Sequence, residues 1–428
     1  MIDNPNNRKS INSWGISPID NIKSPQRNSI AMGPFGSNIK KDNFQIKGVP
    51  VIRGNNLRNN IFEDSDFVYI SDKLANQLSA SSARRLDLVL THRGTIGQVA
   101  IIPLNSKFDR YIVSQSQMKL TVDQTKCDPY FVYYFLTSKK GMSQFLSNTS
   151  QTGVPSIASP TTTLKSIIVP IPPLKEQKAI AKILFDLDSK IEHNKKMNRT
   201  LETIAQAIFK HWFIDFDFPN EEGNPYKSSG GEMVDSELGE IPSKWKIGRL
   251  IDLTLNFDSK RIPLSSRERE VRIGTYPYYG AASLLDFVDS YIFDGIYLLV
   301  GEDGTVIDEH GHPILQYVFG RFWVNNHAHV IQGKYPFSTE YVYLLLKQLN
   351  VKHIVTGAVQ AKINQANLNS ITVVMPPADL INVFNRLIEE GFSKLRLNKN
   401  EMDSLTELRE ILLPKLISGK IRVPLEEK

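Results

Sequence analysis

The sequence contains a single cysteine, Cys127, in 428 residues. One thiol cannot form an internal disulfide framework or a cysteine-based zinc site. No run of eighteen apolar residues occurs, and the first residues lack the apolar stretch of a signal peptide. We therefore predict neither a membrane span nor a secreted protein, and we expect a cytoplasmic one.

Motifs for catalysis are also scarce. No Gly-Lys-Ser/Thr phosphate loop is present, which argues against a motor ATPase. Asp128-Pro-Tyr-Phe and Asn224-Pro-Tyr-Lys resemble the motif of amino-methyltransferases, but the first is better explained as a helix cap and the second lies in a linker. Glu176-Gln-Lys has the spacing of a nuclease site, yet it begins a helix, where an acidic residue favours the dipole. We predict no catalytic residues.

The histidines do not indicate a metal centre. His327 and His329 alternate along a predicted strand, so they would share one face. No third ligand is fixed by spacing, and we predict no metal site.

Composition is compatible with a nucleic-acid partner. The chain has 51 Lys and Arg against 45 Asp and Glu, a net charge of +6, and an isoelectric point near 9.0. Such an excess suits DNA or RNA, although many basic proteins bind neither. The length allows two or three domains, and 41% apolar residues are ordinary for a globular chain.

The organising segment extends from Pro172 to Phe213 and contains neither proline nor glycine after residue 173. Its apolar residues follow a heptad-like 3-4 spacing that is interrupted by Asn194 and Asn198. This pattern predicts a helix of roughly 60 Å that packs along a partner helix. We expect the pairing residues to be Ile180, Leu184, Leu187, Ile191, Asn194, Leu201 and Ile208.

The partner is a second copy of the same segment. Leu164–Pro173 matches Leu368–Pro377, which begins 204 positions later, and the register holds through the following helix. The polar interruption is repeated as well, so two unrelated amphipathic helices are a poor explanation, and the chain is an internal duplication. The matching pairing residues are Ile388, Leu395, Asn398, Leu405 and Leu412.

The globular regions repeat in the same order. Short strand-like segments of the first half return in the second, with Gly94-Thr95 in register with Gly304-Thr305. The chain is therefore predicted to comprise two mixed α/β (α+β) domains and two long helices. We assign residues 1–170 to a first domain, 171–217 to a long helix, 218–243 to a linker, 244–375 to a second domain and 376–420 to the second helix.

The two domains differ where binding residues usually lie, in loops. Basic, amide and aromatic side chains in these loops suit phosphate and base contacts, although each alone is an ordinary surface residue. The candidate DNA-binding residues are Lys40, Arg53, His92, Arg93, Lys260, Arg261, Arg267, Tyr276, Tyr278, Asn325, Asn326, His327 and His329.

The whole pattern resembles the specificity (S) subunit of type I restriction-modification enzymes. The resemblance rests on the duplicated Pro-Pro helices, on Ser236-Glu-Leu-Gly-Glu-Ile-Pro-Ser-Lys-Trp, and on the segments from Lys260, Tyr276 and Val324. It covers nearly the whole chain. It implies two target recognition domains and two long helices that pair antiparallel, with a circular pseudo-two-fold symmetry. Gly391 and Arg409 depart from an even helix seam.

The resemblance also implies a function. Such a subunit has no catalytic activity, binds a bipartite asymmetric sequence in double-stranded DNA, and docks two methyltransferase (M) subunits. Restriction (R) subunits join through the complex, so S-adenosylmethionine, ATP and Mg are expected on the partners and no cofactor on this chain. The alternatives are a stand-alone DNA adenine methyltransferase or nuclease, and a coiled-coil scaffold that never contacts DNA.

Overall fold

The computed structural model describes residues 14–35, 38–150, 153–357 and 359–424. Residues 1–13 of the predicted first domain therefore lie outside the described residues. The chain divides into a first unit, residues 1–192 with 402–428, and a second unit, residues 193–401. Both division points fall inside long helices, so each unit contains one globular domain and a part of both helices.

The first unit is built from short strands and helices ahead of one long helix. Its elements are β1 (Gly15–Pro18), α1 (Ile19–Ile22), β2 (Ile30–Met32), β3 (Val49–Ile52), β4 (Val68–Ile70), α2 (Asp72–Gln77), β5 (Ser82–Ala83), β6 (Leu88–Thr91), β7 (Val99–Ile101), β8 (Tyr111–Val113), β9 (Gln117–Leu120), α3 (Pro129–Thr137), α4 (Lys139–Phe145), β10 (Thr149–Ser150), β11 (Ser156–Ile157), α5 (Pro160–Ser166), β12 (Ile168–Ile171) and the start of α6 (Leu174–Phe209).

Two four-stranded sheets form the first domain. One has the order β2-β9-β6-β7 and the other β4-β3-β8-β5. The helix α3 packs on this framework, and it begins as the sequence predicts: the Asp128 carboxylate accepts a hydrogen bond from the Phe131 amide and Pro129 occupies the first turn. The Asp128 tetrad is thus a helix cap.

The second unit repeats this plan with longer strands. After α6 come β13 (Met233–Ser236), β14 (Gly239–Pro242), β15 (Lys246–Arg249), α7 (Leu250–Leu253), β16 (Thr254–Asn256), α8 (Ser266–Val271), β17 (Ile273–Tyr279), β18 (Leu284–Val288), β19 (Phe293–Gly301), β20 (Leu315–Val324), β21 (Ala328–Gly333), α9 (Thr339–Gln348), α10 (Gln365–Asn369), β22 (Thr372–Met375) and α11 (Ala378–Ile417). Six strands form one sheet, β16-β21-β19-β20-β17-β18.

The duplication is visible in strand pairing. Each domain has one parallel pair, β3 with β8 (Val51 opposite Ile112) and β17 with β20 (Tyr278 opposite Trp323). The single strand β20 pairs with β19 in the way that the short β7 pairs with β6. The continuous strand β20 therefore takes the place of both β7 and β8. This explains why the second domain has one large sheet and the first has two small ones.

Within each unit the two long helices pack antiparallel. In the first unit Asp188 of α6 bonds to Arg409 of α11 (Oδ1 to Nη1, 2.9 Å). In the second unit the amide of Asn194 donates to Glu401 Oε2 (2.7 Å) and the amide of Asn198 to the Leu395 carbonyl (3.1 Å). These contacts confirm the predicted fold class, a mixed α/β duplication with antiparallel long helices.

The predicted pairing residues all lie on the packed faces. Ile180, Leu184, Asn194, Ile388 and Asn398 are buried. The other predicted pairing residues are half-buried: Leu187, Ile191, Leu201, Ile208, Leu395, Leu405 and Leu412. Arg409, which the sequence marks as an irregularity, has a partner in Asp188, and Pro414 lies near the helix end.

The segment predicted as a linker, residues 218–243, is more ordered than its composition indicates. It contains the hairpin β13–β14 and packs on the core through Ile241. Phe218 stacks on Tyr226 and on Trp245, with ring centroids 4.6 and 5.1 Å apart. Three aromatic rings therefore hold this polar, glycine-containing segment against the second domain.

Trp14 and Trp245 occupy equivalent positions just before β1 and β15. Gly15 pairs with Ile171 and Lys246 pairs with Met375, which lies 204 positions after Ile171. In the second unit Trp245 contacts Phe218. In the first unit the position 204 residues after Phe218 is Arg422, whose guanidinium lies 5.2 Å from the Trp14 ring.

Among the described residues, none of the helices combines the length and the apolar character that crossing a bilayer requires.

Candidate nucleic-acid interface

In the first domain, predicted binding residues gather where strands end. Arg53 follows β3, and His92 and Arg93 follow β6. Backbone bonds hold these strand ends together, from the Ser114 amide to the Ile52 carbonyl (2.9 Å) and from the His92 amide to the Ser116 carbonyl (3.0 Å). The adjoining edges of the two sheets thus carry two basic residues, Arg53 and Arg93, and the histidine His92 in neighbouring loops.

A chain of polar side chains lies beneath this edge. Thr91 donates to Gln98 Oε1 (2.9 Å), Gln98 donates to the Gly54 carbonyl (3.2 Å), and Gln117 donates to Thr91 Oγ1 (3.2 Å). The sequence did not indicate this network, because threonine and glutamine side chains are uncharged. It fixes the loop positions from which Arg53 and Arg93 project.

The first-domain candidates differ in accessibility. Lys40 and Arg93 are exposed, and Lys40 lies on a separate loop that is not joined to the others by a hydrogen bond of the described residues. Arg53 is half-buried and its Nη2 donates to the Asp66 carbonyl (3.4 Å). His92 is buried, and burial lowers the pKa of its imidazole, with the charge of Arg93 acting in the same direction. His92 is therefore a neutral, largely enclosed side chain.

The second domain has the same loop backbone with different side chains. Gly94 and Gly304 both have φ of 85°, and their amides donate to the carbonyls of Pro155 and Ala361 (2.8 and 3.0 Å). Glu302 and Asp303 stand where the first domain has His92 and Arg93. The exposed His327 ring bonds to Asp303 (Nδ1 to Oδ1, 2.6 Å), next to the exposed Asn326.

An ion network around the buried His329 supports this second loop. Arg261 Nη1 bonds to Glu302 Oε2 (2.6 Å) and to the Ala328 carbonyl (2.8 Å). His329 bonds to Asp258 (Nδ1 to Oδ2, 2.6 Å) and to the Ile363 carbonyl (Nε2, 2.8 Å). Lys362 lies 3.3 Å from Glu302 Oε1.

The network lowers the pKa of two carboxylates, those of Asp258 and Glu302. Burial opposes ionisation of Asp258, but the hydrogen bond and charge of His329 outweigh it and lower its pKa. The pKa of Glu302 is lowered in the same way, against burial, by the hydrogen bond of Arg261 and the charge of His329. Both carboxylates are therefore ionised and paired at neutral pH.

Ligand atoms of Asp258, Glu302 and His329 lie within 4.8 Å of one another, a grouping that could hold a cation. Arg261 and Lys362 already supply positive charge to the two carboxylates. The arrangement is accounted for by ion pairing within the chain.

Four of the predicted DNA-binding residues are buried in this structure. Tyr278 and His329 are each 1% exposed, and Asn325 and His92 are also buried. The Tyr278 hydroxyl accepts from the Leu264 amide (2.8 Å), and Asn325 Oδ1 accepts from the His327 amide (2.8 Å). These polar atoms lie in the interior of the domain and make their hydrogen bonds within the chain. Their roles are structural in this conformation.

The segment around α8 carries further exposed candidates of the second domain. Lys260 and Arg267 are exposed, and Tyr276 is half-buried against Tyr291, with ring centroids 5.1 Å apart. Sequence reasoning missed Arg269 and Arg272, which pair with Asp286 and Asp289 across 17 positions. A charge count along the chain could not separate these paired arginines from the exposed ones.

Comparison with known proteins agrees with this architecture. The family model "Type I restriction modification DNA specificity domain" matches residues 35–203 and again residues 242–409. The MjaIX type I restriction enzyme specificity subunit of Methanocaldococcus jannaschii is 26% identical over 386 residues, 84% of each chain. The putative MjaX specificity subunit of that organism is 22% identical over 420 residues, 96% of this chain and 94% of its own.

A solved structure shows the same fold. The S subunit of a type I restriction-modification system from M. genitalium superposes with a TM-score of 0.59 at 17% identity, covering 96% of this chain and 97% of that one. Two copies of the family's domain, each extending into a long helix, account for most of the sequence. The chain belongs to the family of type I restriction-modification DNA specificity subunits.

Proposed function

We propose that this chain reads a bipartite, asymmetric sequence in double-stranded DNA and assembles a type I restriction-modification complex around it. The observation that carries the proposal is the pair of strand-end loops that share one backbone and differ in side chains. His92-Arg93 in the first domain and Glu302-Asp303 in the second offer different hydrogen-bond donors and acceptors at equivalent positions. Two like domains with unlike loops suit an asymmetric target with two elements.

The long helices supply the assembly surface in this proposal. Although they are paired, they retain exposed apolar side chains: Phe185, Leu408 and Ile411 in the first unit, and Ile204, Val383, Leu387 and Leu397 in the second. Ile204 and Leu408 are equivalent in the duplication, so each unit offers a related docking surface. Apolar side chains exposed in this way are typical of interaction sites. Two M subunits would dock here, and R subunits would join through the complex.

The chain itself is proposed to be non-catalytic. S-adenosylmethionine, ATP and Mg would be held by the partner subunits. The two methylase-like tetrads support this: Asp128 caps α3, and Tyr226 of the other tetrad is stacked on Phe218. We also propose that the protein binds its DNA in the cytoplasm.

A domain exchange tests recognition. Replacing residues 1–165 by the first domain of another family member should change one half of the methylated sequence and leave the other half intact. Methylation mapping with the complete complex provides the measurement. A change in both halves would contradict the assignment of one element to each domain.

Methyl transfer tests the catalytic assignment. The purified chain should methylate DNA only when an M subunit is added. Activity of the chain alone would instead support the stand-alone methyltransferase. Absence of DNA binding would favour a scaffold that never contacts DNA, and binding that does not weaken as salt rises would contradict phosphate contacts.

Substitution of matched helix residues tests assembly. Ile204→Asp and Leu408→Asp place a charge on equivalent surfaces of the two units, so each alone should release one M subunit and the double variant should release both. Mass measurement of the purified complex gives the stoichiometry. Thr203→Asp, at an exposed polar position beside Ile204, is the matched control and should keep the full complex.

A further inference from the structure

The loop between β20 and β21 presents a histidine, His327, whose backbone is held on both sides. The Asn325 amide donates to the Tyr279 carbonyl (3.0 Å), and Asn325 Oδ1 accepts from the His327 amide (2.8 Å). The His327 carbonyl accepts from the Glu302 amide (2.9 Å). Asn325 itself is buried. The fold of the second domain therefore fixes where His327 lies.

The ring of His327 is also held, although it is exposed. Its Nδ1 lies 2.6 Å from Oδ1 of Asp303, and the two side chains are 48% and 20% exposed. A carboxylate oxygen can only accept, so Nδ1 carries the proton and Nε2 of the neutral ring presents a lone pair. Among the described residues no group bonds to Nε2. The loop thus offers an oriented hydrogen-bond acceptor on its surface.

The carboxylate beside the ring selects against a phosphate as the ligand. Asp303 has no Lys or Arg partner in the part of the chain that the structure describes, so its negative charge would repel phosphate oxygens. Base edges carry no such charge, and adenine and cytosine each present an exocyclic amino group as a donor in the major groove. An acceptor that is backed by a carboxylate suits this amino group.

The first domain has different chemistry at the same place. Ser116 takes the place of His327, and the exposed Arg93 takes that of Asp303. A guanidinium group has donors only, so the pairing of an acceptor ring with a carboxylate is specific to the second domain. Changes to this pair should therefore affect the DNA element that the second domain reads and leave the other element alone.

We propose that His327 Nε2 accepts a hydrogen bond from an exocyclic amino group of adenine or cytosine in the major groove, and that Asp303 is the positioning residue that holds the ring in the accepting tautomer. The inference rests on the proposed function, and it adds the chemical group that the second domain recognises at this point.

Base analogues in the second DNA element test the proposal with the complete complex. Methylation mapping first gives the bipartite sequence. In synthetic duplexes, purine then replaces adenine and 2-pyrimidinone replaces cytosine, one position at a time, which removes the amino group. Competition binding should show one deletion that weakens binding of the original complex about threefold to tenfold, as expected for one hydrogen bond. The same deletion should cause no such loss with His327→Ala.

Substitutions at Asp303 test its positioning role. Asp303→Ala should lose most of the preference for the same amino group, and the double variant should lose no more than His327→Ala alone, because both residues act through one contact. Asp303→Asn keeps an accepting oxygen and should retain part of the preference. His310→Ala, which removes an exposed histidine elsewhere in the same domain, is the matched control and should leave binding to every duplex unchanged.

Three results would overturn the proposal. The first is that no amino-group deletion distinguishes the original complex from His327→Ala. The second is that 7-deazapurines, which keep the amino group and lack the N7 acceptor, distinguish them instead, because the ring would then be a donor. The third is that His327→Ala weakens binding to all duplexes alike and lowers its salt dependence, because the ring would then contact a phosphate.

Failure of the proposed function gives a different result. An original complex that methylates no bipartite sequence would contradict the proposed function at the mapping step, before any variant is compared, and the present inference would fall with it.

Discussion

In each unit the segment that follows a long helix contacts a tryptophan, Trp14 in the first unit and Trp245 in the second. The chemistry of this contact differs between the two units. In the first unit Arg422 forms a paired contact with Glu176 (Nε to Oε1, 2.7 Å, and Nη2 to Oε2, 2.9 Å), and the Trp14 indole donates to Glu176 (3.2 Å). In the second unit Phe218 replaces Arg422 and Leu380 replaces Glu176 at the equivalent positions. The first contact is ionic and the second is apolar.

This difference shows which part of the architecture the duplication preserves. The backbone framework, the tryptophan and the helix register are retained, whereas the side chains between them have changed as a set. Replacing only one member of either set would leave a buried carboxylate beside an aromatic ring, or an arginine beside a leucine, and both are unfavourable. The two halves are therefore equivalent in form and not interchangeable residue by residue.

The apolar contact of Phe218 should contribute more to the free energy of unfolding than the ionic contact of Arg422. Phe218→Ala removes a buried ring that stacks on Trp245 and Tyr226, and we expect a loss of about 3 kcal/mol in the free energy of unfolding. Urea denaturation measures the loss, and hydrogen exchange of second-unit amides locates it. Phe218→Leu, which keeps apolar volume, is the control and should lose less. A Phe218→Leu variant that loses almost nothing would mean that apolar volume, and not ring stacking, makes the contribution.

Among the described residues of the first domain, no counterpart of the ion network under the second-domain loop is seen at the equivalent positions, where His92 and Arg93 replace Glu302 and Asp303. Glu302→Gln removes the shorter of the two carboxylate contacts of Arg261 and leaves the one to Asp258 at 3.7 Å, and we expect a loss of about 2 kcal/mol in the free energy of unfolding. Arg261→Ala should therefore weaken both folding and DNA binding, because Arg261 holds the loop. Arg261→Lys, which keeps the charge and loses the fork of donors, separates geometry from charge. Unchanged stability of Glu302→Gln would contradict the network.

Acid should affect the two units over different pH ranges. Because the folded-state pKa of His92 lies below its usual value of 6.5, the unfolded chain takes up this proton first, and the first unit should lose stability as pH falls below 6.5. The lowered pKa values of Asp258 and Glu302 stabilise the second unit above about pH 4.5, and this contribution is lost as pH falls through their folded values.

Hydrogen exchange at several pH values can assign each loss to its unit. His92→Gln should remove the difference between pH 7 and pH 5.5 in the first unit and leave the second unit unchanged. Asp87, whose pKa burial raises, acts in the opposite direction in the first unit, so the measured quantity is the change caused by the His92 substitution. The same loss in the substituted and the original chain would exclude His92 as its source.

The ionic contact between Arg422 and Glu176 should contribute less to stability than the apolar contact of Phe218. Its contribution should also depend on salt. Arg422 is partly exposed, so Arg422→Ala is expected to lose only about 1 kcal/mol at low salt and less at high salt. Phe218→Ala should show no such salt dependence. Urea denaturation of both variants at two salt concentrations makes the comparison, and equal salt dependence would contradict the distinction between the two contacts.

The smallest effect is expected at Gly391, which makes α11 less regular than α6. A Cβ at this position would meet no atom within 4 Å. Gly391→Ala should therefore raise the free energy of unfolding by about 0.5–1 kcal/mol, because alanine has the higher helix propensity. Gly94→Ala is the contrasting control: space is available there too, but φ of 85° should make the substitution destabilising.

Much of the fold could be predicted from sequence because it depends on periodicity and on repetition. The seam from Ile180 to Leu412, the register of Gly94 with Gly304, and the Asp128 cap all follow local rules of spacing. The hairpin within residues 218–243 did not follow from composition, since its order comes from stacking of Phe218 on Trp245, which are distant in sequence.

The candidate site was less predictable for a related reason. The sequence shows that Tyr278, Asn325 and His329 are polar, but their burial depends on which face of β17 or β20–β21 meets the core. Similarly, Arg261 and Arg267 look alike in sequence. Only the fold brings Glu302 to within 2.6 Å of Arg261 and leaves Arg267 exposed.

The left-handed turns at Gly94 and Gly304 have an evolutionary consequence. The main chain positions the neighbouring residues through the bonds from the His92 and Glu302 amides to the Ser116 and His327 carbonyls. Because the main chain fixes the turn, substitutions at the exposed Arg93 can accumulate without refolding the domain, whereas Glu302 is held by its bond to Arg261. Under the proposed function such substitutions would change the DNA sequence that one domain reads, so each domain can diverge on its own.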